Sequence, residues 1–209
     1  MEQKLSTEIE ETPEDILKVI RDTHVATVAH GLESLDQTKL QKAADNIVDC
    51  IIRERKIFTI GNGASAAIAQ HWACDYTKGC STVTSETSPR PSVRPEVISL
   101  ATNIPLITAI ANDISFNRIF SFQLERVSHP GDLLIAVSSS GNSPNIIEAL
   151  KVAKLLNMFT ISLTGFTGGY CEQLADINLT VDVQEYEATE DCHQAIMHMI
   201  AKYIRAKLH

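Results

Sequence analysis

Several features that would fix a cellular setting are missing from this 209-residue sequence. Its five cysteines are an odd number with no CxxC pair, so their spacing does not predict a disulfide framework. No apolar run approaches the roughly 20 residues of a transmembrane helix, and no apolar segment near the start resembles a secretory signal. We therefore expect a reduced, cytoplasmic protein with no membrane partner.

Positive charge is scarce as well. Lys and Arg number 18 against 26 Asp and Glu, and the formal net charge of −8 argues against nucleic acid as a partner. The length fits one domain of roughly 150 residues with an appended element. A core of this size buries about 70% of the surface of the unfolded chain, so folding needs no metal and a metal would serve chemistry.

Two amphipathic helices are predicted ahead of any strand. Thr12 is a good N-cap and Pro13 fits the first helical position, so a helix should begin there. A second helix is predicted over 37–56, where apolar residues recur on one face. We expect residues 1–56 to form a helical hairpin that builds an oligomer.

After residue 56, short apolar runs typical of strands alternate with helical patterns. This alternation implies right-handed crossovers and a parallel sheet covered on both faces, so 57–209 should be a doubly wound, five-stranded α/β domain. The segment 81–95, rich in Ser, Thr and Pro, is either a mobile loop beside a site or a plain surface connection. The predicted strands are 57–60, 97–100, 133–137, 159–163 and 177–181, and the later helices begin near 65, 106, 116, 145 and 189.

Ligands of doubly wound sheets bind beyond the carboxyl ends of the strands, where this sequence has three unusual turns. The glycine-rich turn 164–169 is a weak signal alone. The turn 138–143 offers four serine hydroxyls at a helix N-terminus, and these with the backbone N–H groups suit a phosphate. The absence of a Walker lysine favours a phosphomonoester over a nucleoside triphosphate. Simple helix capping is the alternative, but it uses one or two serines, not four.

The turn after the first strand, 61–66, fits the GxGxxG/A pattern of dinucleotide-binding proteins. That pattern also needs an acidic residue after the second strand to hold the ribose, and none is present there. We therefore expect no nucleotide cofactor.

Groups able to transfer protons or bind a metal occur on two helices. His71 and Asp75 are four residues apart, and Glu190, Gln194 and His198 recur every four residues on the last helix. Two imidazoles and two carboxylates suit either a divalent metal or acid–base catalysis. A surface ion pair and a dipole effect at a helix terminus are the simpler explanations, and spacing alone does not show whether the helices meet.

These motifs, in this order, resemble the sugar isomerase (SIS) domain family, specifically its phosphoheptose isomerase branch. The likeness covers nearly the whole chain. It rests on the turn 61–65, Gln70-His71-Trp72-Ala73, Ala111-Asn112-Asp113, Phe116-Asn117, Gly131-Asp132-Leu133-Leu134, the turn 138–143, Leu163-Thr164-Gly165, and Glu190-Asp191-Cys192-His193 with His198.

The resemblance implies an isomerase that converts sedoheptulose 7-phosphate to a manno-heptose 7-phosphate through an enediol. It implies Asp75 as base, His198 as acid, and a tetramer with sites between subunits. Other branches of the family only bind, either sugar phosphates for regulation or a replication initiator, and a different sugar phosphate is a further alternative. The implied substrate residues are Asn62, Gly63, Ser65, Asp113, Ser138, Ser139, Ser140 and Ser143; the implied zinc ligands are His71, Asp75, Glu190 and His198.

The sequence departs from the family pattern at three places. Asp75 stands where the family usually has Glu, and shortening a base by one methylene withdraws its carboxylate by about 1 Å. Glu190 replaces a Gln, which favours a metal because a carboxylate is the stronger ligand. Lys78-Gly79 replaces the family's arginine. Either the substrate differs or the site is rearranged.

Overall fold

The computed structural model of the chain describes residues 13–81 and 93–208. A π-helical turn spans Asp75–Gly79, and a 3-10 turn spans Phe116–Arg118. The α-helices are α1 Pro13–Glu33, α2 Gln37–Ile52, α3 Gly63–Cys74, α4 Ile104–Asp113, α5 Ser121–Val127, α6 Pro144–Leu155, α7 Gly169–Leu174 and α8 Tyr186–Leu208. The strands are β1 Lys56–Ile60, β2 Glu96–Ser99, β3 Leu133–Val137, β4 Phe159–Thr164 and β5 Ile177–Thr180.

The five strands form one parallel sheet in the order β2-β1-β3-β4-β5. This confirms the predicted doubly wound, five-stranded α/β fold. The strand order reverses between β1 and β3. After β1 the chain crosses to β2 on one side, and after β3 it crosses to β4 on the other side. The crevice opened by that reversal, at the carboxyl ends of β1 and β3, is where such sheets bind ligands.

Helices cover both faces of the sheet. Along β3, Leu133, Ile135 and Val137 pack into one apolar cluster with α2, α3 and α8, while Leu134 and Ala136 pack into another with α4 to α7. All five residues are buried, as expected for a central strand covered on two sides. The sheet therefore holds the turns at its carboxyl edge on a rigid support.

The N-terminal helices are part of this same structure. α1 packs along α8, and a Cβ at Gly31 would lie 2.5 Å from Val183 Cγ2, so only glycine permits this approach. α2 contributes buried side chains, including Ala43 and Ile47, to the core beneath the sheet. Residues 13–52 thus share a core with the α/β domain instead of folding separately.

The second helix is shorter than predicted, ending at Ile52 instead of residue 56. Glu54 has a left-handed backbone, with φ of 54°, and the Lys56 backbone N–H donates to Asp132 Oδ1 at 3.0 Å. These contacts turn the chain into β1 although 53–56 suits a helix. Thr12 and most of the segment 81–95 lie outside the described residues. Among the helices that are described, none combines the length and apolar character needed to cross a membrane.

Candidate active site

The turn between β1 and α3 opens the amino end of α3 to a ligand. Gly61 is required because a Cβ there would lie 2.4 Å from the Ser65 carbonyl oxygen. Gly63 has a φ of 54°, and no atom lies within 4 Å of where its Cβ would be, so space is open beside it. Ser65 is buried. Asn62 occupies the N-cap position, yet its side chain makes no capping hydrogen bond.

The serine-rich turn, 138–143, lies between β3 and α6. Ser138 Oγ is 3.5 Å from Ser143 Oγ, and Ser143, the N-cap of α6, makes no side-chain capping bond. Ser140 Oγ accepts from the Asn142 N–H at 3.3 Å. The Ser139 hydroxyl is buried and has no hydrogen-bond partner among the described residues. Hydroxyls and an uncapped helix terminus therefore gather at this edge as the sequence predicts.

The neighbouring turn after β4 braces the serine-rich turn. The Gly165 N–H donates to the Ser139 carbonyl at 2.8 Å, and the Cys171 N–H donates to the Gly141 carbonyl at 3.0 Å. Gly141 has a φ of 65°, and a Cβ there would lie 2.1 Å from the Gly168 carbonyl oxygen. The shape of the serine-rich turn therefore depends on glycine at 141.

Asp113, predicted to lie near the sugar, is at the end of α4. Its carboxylate is exposed and accepts from Asn112 Nδ2 at 2.8 Å. Among the described residues, no hydrogen bond or ion pair joins it to either turn. Its part in a substrate site stays a prediction.

A histidine cluster, formed by His71, Asp75 and His198, lies where α3 meets α8. Asp75 bridges the imidazoles: its Oδ1 is 3.2 Å from His71 Nε2, and its Oδ2 is 3.7 Å from His198 Nε2. The two rings meet edge to face with centroids 5.2 Å apart. The structure thus answers the question that spacing left open, because the two helices do bring these groups together.

Gln194 completes the contacts of this cluster, a role that the sequence analysis assigned to Glu190. Gln194 Nε2 lies 2.7 Å from His71 Nδ1 and 3.3 Å from His198 Nε2. Glu190 is not among the residues whose ligand atoms group with His71, Asp75 and His198. It lies eight residues before His198, about 12 Å along the helix, whereas α3 crosses α8 near Gln194 and His198.

Glu190 has an acidic environment of its own. Partial burial, followed by the nearby Glu187 and Asp191 carboxylates, raises the pKa of Glu190. Asp191 also lies 2.7 Å from His24 Nε2 on α1. This end of α8 therefore carries several carboxylates, of which Asp191 contacts the N-terminal helix.

Asp75 begins the π-helical turn that follows α3. Such turns are rare and occur disproportionately at functional sites, because the extra residue re-aims the side chains around it. Here the turn continues into Tyr76, whose ring stacks on Trp72 with centroids 5.3 Å apart, and both rings are fully buried. The backbone that carries Asp75 is thus flanked by a buried aromatic pair on the same segment.

The SIS domain family model matches residues 23–165, which is more than half of the chain. The chain belongs to the SIS domain family.

Comparison with individual proteins places this SIS domain more narrowly. It is 40% identical to the phosphoheptose isomerase of Aliarcobacter butzleri over 185 residues, covering 88% of this chain and 93% of that protein. It is 38% identical to the probable phosphoheptose isomerase of Thermoplasma acidophilum, covering 83% and 91%. The solved phosphoheptose isomerase of Neisseria gonorrhoeae superposes with a TM-score of 0.82 at 28% identity, covering 93% of this chain and all of that one.

Two polar residues of this SIS domain were missed as site residues. Gln194 shares the helical face of Glu190 and His198, so its spacing was a usable signal. Asn145 is nearly fully buried and pairs with Asn62 across the crevice. No pattern in the sequence points to that pairing, because the two residues are 83 positions apart.

Proposed function

We propose that this protein is a phosphoheptose isomerase that interconverts sedoheptulose 7-phosphate and D-glycero-D-manno-heptose 7-phosphate. The observation that carries the proposal is the 40% identity to a phosphoheptose isomerase along nearly the whole length of both chains. The histidine cluster supports it independently, since a carboxylate held between two imidazoles suits proton transfer.

The serine-rich turn is the proposed phosphate site. Ser138, Ser140 and Ser143 supply hydroxyls at the amino end of α6, where the helix dipole favours an anion. Within residues 13–81 and 93–208 the buried Ser139 hydroxyl has no hydrogen-bond partner. An unpaired buried hydroxyl costs about 1–3 kcal/mol, and an oxyanion would provide an acceptor. Asn62, Gly63 and Ser65 border the same crevice, and we assign them to the sugar.

The proposed chemistry moves a proton between adjacent carbons. Asp75 removes the proton from the hydroxyl-bearing carbon next to the carbonyl, and His198 gives a proton to the carbonyl oxygen, which yields an enediol. His198 then takes the proton of the other hydroxyl as that oxygen becomes the new carbonyl, and the proton held by Asp75 passes to the neighbouring carbon. The two groups are already in contact, at 3.7 Å. Asp75 also touches His71, which fixes the orientation of the carboxylate.

The histidine cluster also fits a zinc ion. Its two imidazoles and one carboxylate offer ligand atoms within 4.8 Å of one another, the three-ligand set common in catalytic zinc sites. When bound there, zinc would polarise the carbonyl oxygen and stabilise negative charge beside it. A carboxylate that holds a metal tightly is not free as a base, so these two roles of Asp75 are alternatives.

The length of α3 supports an active site shared between copies of the chain. Along α3, a rise of about 1.5 Å per residue separates Gly63 from Asp75 by about 18 Å. From the first carbon to the phosphorus, a seven-carbon sugar phosphate has eight bonds of about 1.5 Å and spans at most about 12 Å, which is shorter than this helix. We propose that the histidine cluster of one copy meets the serine-rich turn of another in a homotetramer.

The exposed apolar face of α1 supports this assembly. Leu17, Val19, Ile20 and Val25 are each more than half exposed, although monomeric proteins seldom leave such a row of apolar side chains in water. A second copy of the chain would cover it, so we assign segment 1–56 to oligomerisation. A cytoplasmic location, where a sugar phosphate is available, fits the same proposal.

The rival function is a protein that binds a sugar phosphate or a replication initiator without catalysis. Such a protein would need the serine-rich turn but would gain nothing from a carboxylate and two imidazoles in contact. The identity to phosphoheptose isomerases likewise favours the enzyme.

The proposal is tested by incubating the protein with sedoheptulose 7-phosphate and a panel of other ketose phosphates and measuring aldose formation. Asp75→Asn and His198→Asn should each abolish turnover without unfolding the protein. Asp49→Asn is the matched control, since Asp49 forms a similar i,i+4 pair with Arg53 on α2 far from the cluster. No product from any ketose phosphate, or full activity in both cluster variants, would refute the proposal.

A zinc arm separates the two roles of Asp75. Protein treated with a chelator and then restored with zinc should regain its activity if the cluster holds the metal. Zinc content measured in parallel should fall in His71→Asn. Full activity without zinc would assign Asp75 the role of base.

A further inference from the structure

We propose that Asn145 is a positioning residue: it holds the Asn62 amide and thereby sets the spacing between the β1–α3 turn and the serine-rich turn. This inference rests on the proposed function, because the spacing matters for a substrate that contacts both turns. It concerns a residue that no part of the proposed chemistry touches.

The two asparagines form a reciprocal amide pair. Asn62 Nδ2 donates to Asn145 Oδ1 at 2.9 Å, and Asn145 Nδ2 donates to Asn62 Oδ1 at 2.8 Å. Asn145 is 1% exposed and follows Pro144 at the start of α6. The pair therefore ties the first turns of α3 and α6 to each other where the strand order reverses.

The pairing replaces a more usual contact of Asn62. An asparagine at an N-cap normally accepts from a backbone N–H of the first turn, a bond worth about 1 kcal/mol. Asn62 has the extended backbone of a cap, with φ of −111° and ψ of 150°, but caps nothing. The pair with Asn145 thus leaves the N–H groups of α3 without a side-chain cap.

A second helix N-terminus without a side-chain cap lies across the crevice. Ser143 is at the N-cap of α6 and also caps nothing, its hydroxyl lying toward Ser138. Two neighbouring helices therefore both begin without a side-chain cap, and the asparagine pair links them directly. Because Asn145 is buried and uses its amide on Asn62, it acts on the substrate only through the position of Asn62.

Positioning predicts a specific kinetic signature. Inorganic phosphate needs only the serine-rich turn, whereas the sugar phosphate needs both turns at the correct separation. Removing the pair should therefore weaken the binding of the sugar phosphate far more than the binding of inorganic phosphate. Displacement of a reacting group by about 1 Å can cost about 100-fold, so a loss of ten- to 100-fold in kcat/KM is expected.

The experiment compares Asn145→Leu and Asn145→Ser with the wild type on sedoheptulose 7-phosphate, with inorganic phosphate as competitive inhibitor. We expect kcat/KM to fall at least ten-fold in both variants, while the inhibition constant of phosphate changes less than about two-fold. Gln123→Met is the matched control. Gln123 is also a buried amide, which donates to the Leu100 and Ile119 carbonyls, and its loss should lower the Tm but leave kcat/KM unchanged.

Each result decides the question. Unchanged kcat/KM in folded Asn145 variants, or equal losses for sugar phosphate and for phosphate, would overturn the positioning role while the isomerase assignment stands. If the wild type shows no turnover, dissociation constants of both compounds measured by calorimetry replace the kinetics, with the same ten-fold and two-fold criteria. A wild type that neither converts nor binds the sugar phosphate would overturn the proposed function, and this inference with it.

Discussion

Acidification should destabilise the fold through one buried histidine, His193. It lies on the inner face of α8, fully buried, beside the backbone of Thr164. Burial lowers the pKa of His193 from 6.5 to about 4, an effect that the Thr164 backbone only partly offsets. Below pH 6.5 His193 is therefore protonated in the unfolded chain but stays neutral in the folded chain. Its contribution to the free energy of unfolding falls as the pH falls toward 4.

The size of this effect follows from the pKa difference. At about 1.4 kcal/mol per pH unit, the drop from 6.5 to about 4 amounts to about 3 kcal/mol of unfolding free energy lost between pH 7 and pH 4. That is a large part of the free energy of unfolding of a typical domain, about 5–15 kcal/mol.

The assay is urea unfolding at fixed protein concentration, repeated between pH 7 and pH 4 for the wild type and His193→Met. Methionine has no proton to gain and fills a similar apolar space, so the variant should lose about 3 kcal/mol less over this range. His129→Gln, at an exposed histidine, is the control and should follow the wild type. Parallel pH profiles for wild type and His193→Met would refute the reasoning.

Three further variants test the serine-rich turn, the contact between α1 and α8, and the histidine cluster. Gly141→Ala would force a Cβ to 2.1 Å from the Gly168 carbonyl oxygen, so the KM for the sugar phosphate should rise at least about ten-fold in steady-state assays. Gly31→Ala would press a Cβ to 2.5 Å from Val183, which should cost about 1–3 kcal/mol in urea unfolding and shift the oligomer toward smaller species in light scattering. Gln194→Leu removes the amide that touches both imidazoles, so kcat should fall about ten-fold with little change in Tm.

Each of these variants has an outcome that contradicts the structure. A wild-type KM in Gly141→Ala would mean that the serine-rich turn tolerates displacement. A full-sized assembly with wild-type stability in Gly31→Ala would mean that the fold does not need the close approach of α1 to Val183. Wild-type kcat in Gln194→Leu would show that the imidazoles keep their orientation without the amide.

Much of the fold could be predicted because the local signals agree. β3 has the predicted bounds, 133–137, since a five-residue apolar run flanked by polar turns is too short for a helix and is typical of a strand buried on both faces. The β1–α3 turn and the serine-rich turn were expected at one edge because the carboxyl ends of parallel strands all lie there. Contact between them, through Asn62 and Asn145, depends on the strand order, which the sequence pattern does not encode.

The histidine cluster shows where prediction from spacing stops. Residues at i, i+4 and i+8 share a helical face only approximately, because each step of four turns the side chain by about 40°. Glu190 is therefore rotated by about 80° from His198 as well as two turns away along α8. Which of these positions meets His71 depends on the level at which α3 crosses, and close packing of Trp72 and Tyr76 beneath α8 sets that level near Gln194. The Glu190 carboxylate thus lies near those of Glu187 and Asp191, while the neutral amide of Gln194 contacts the imidazoles.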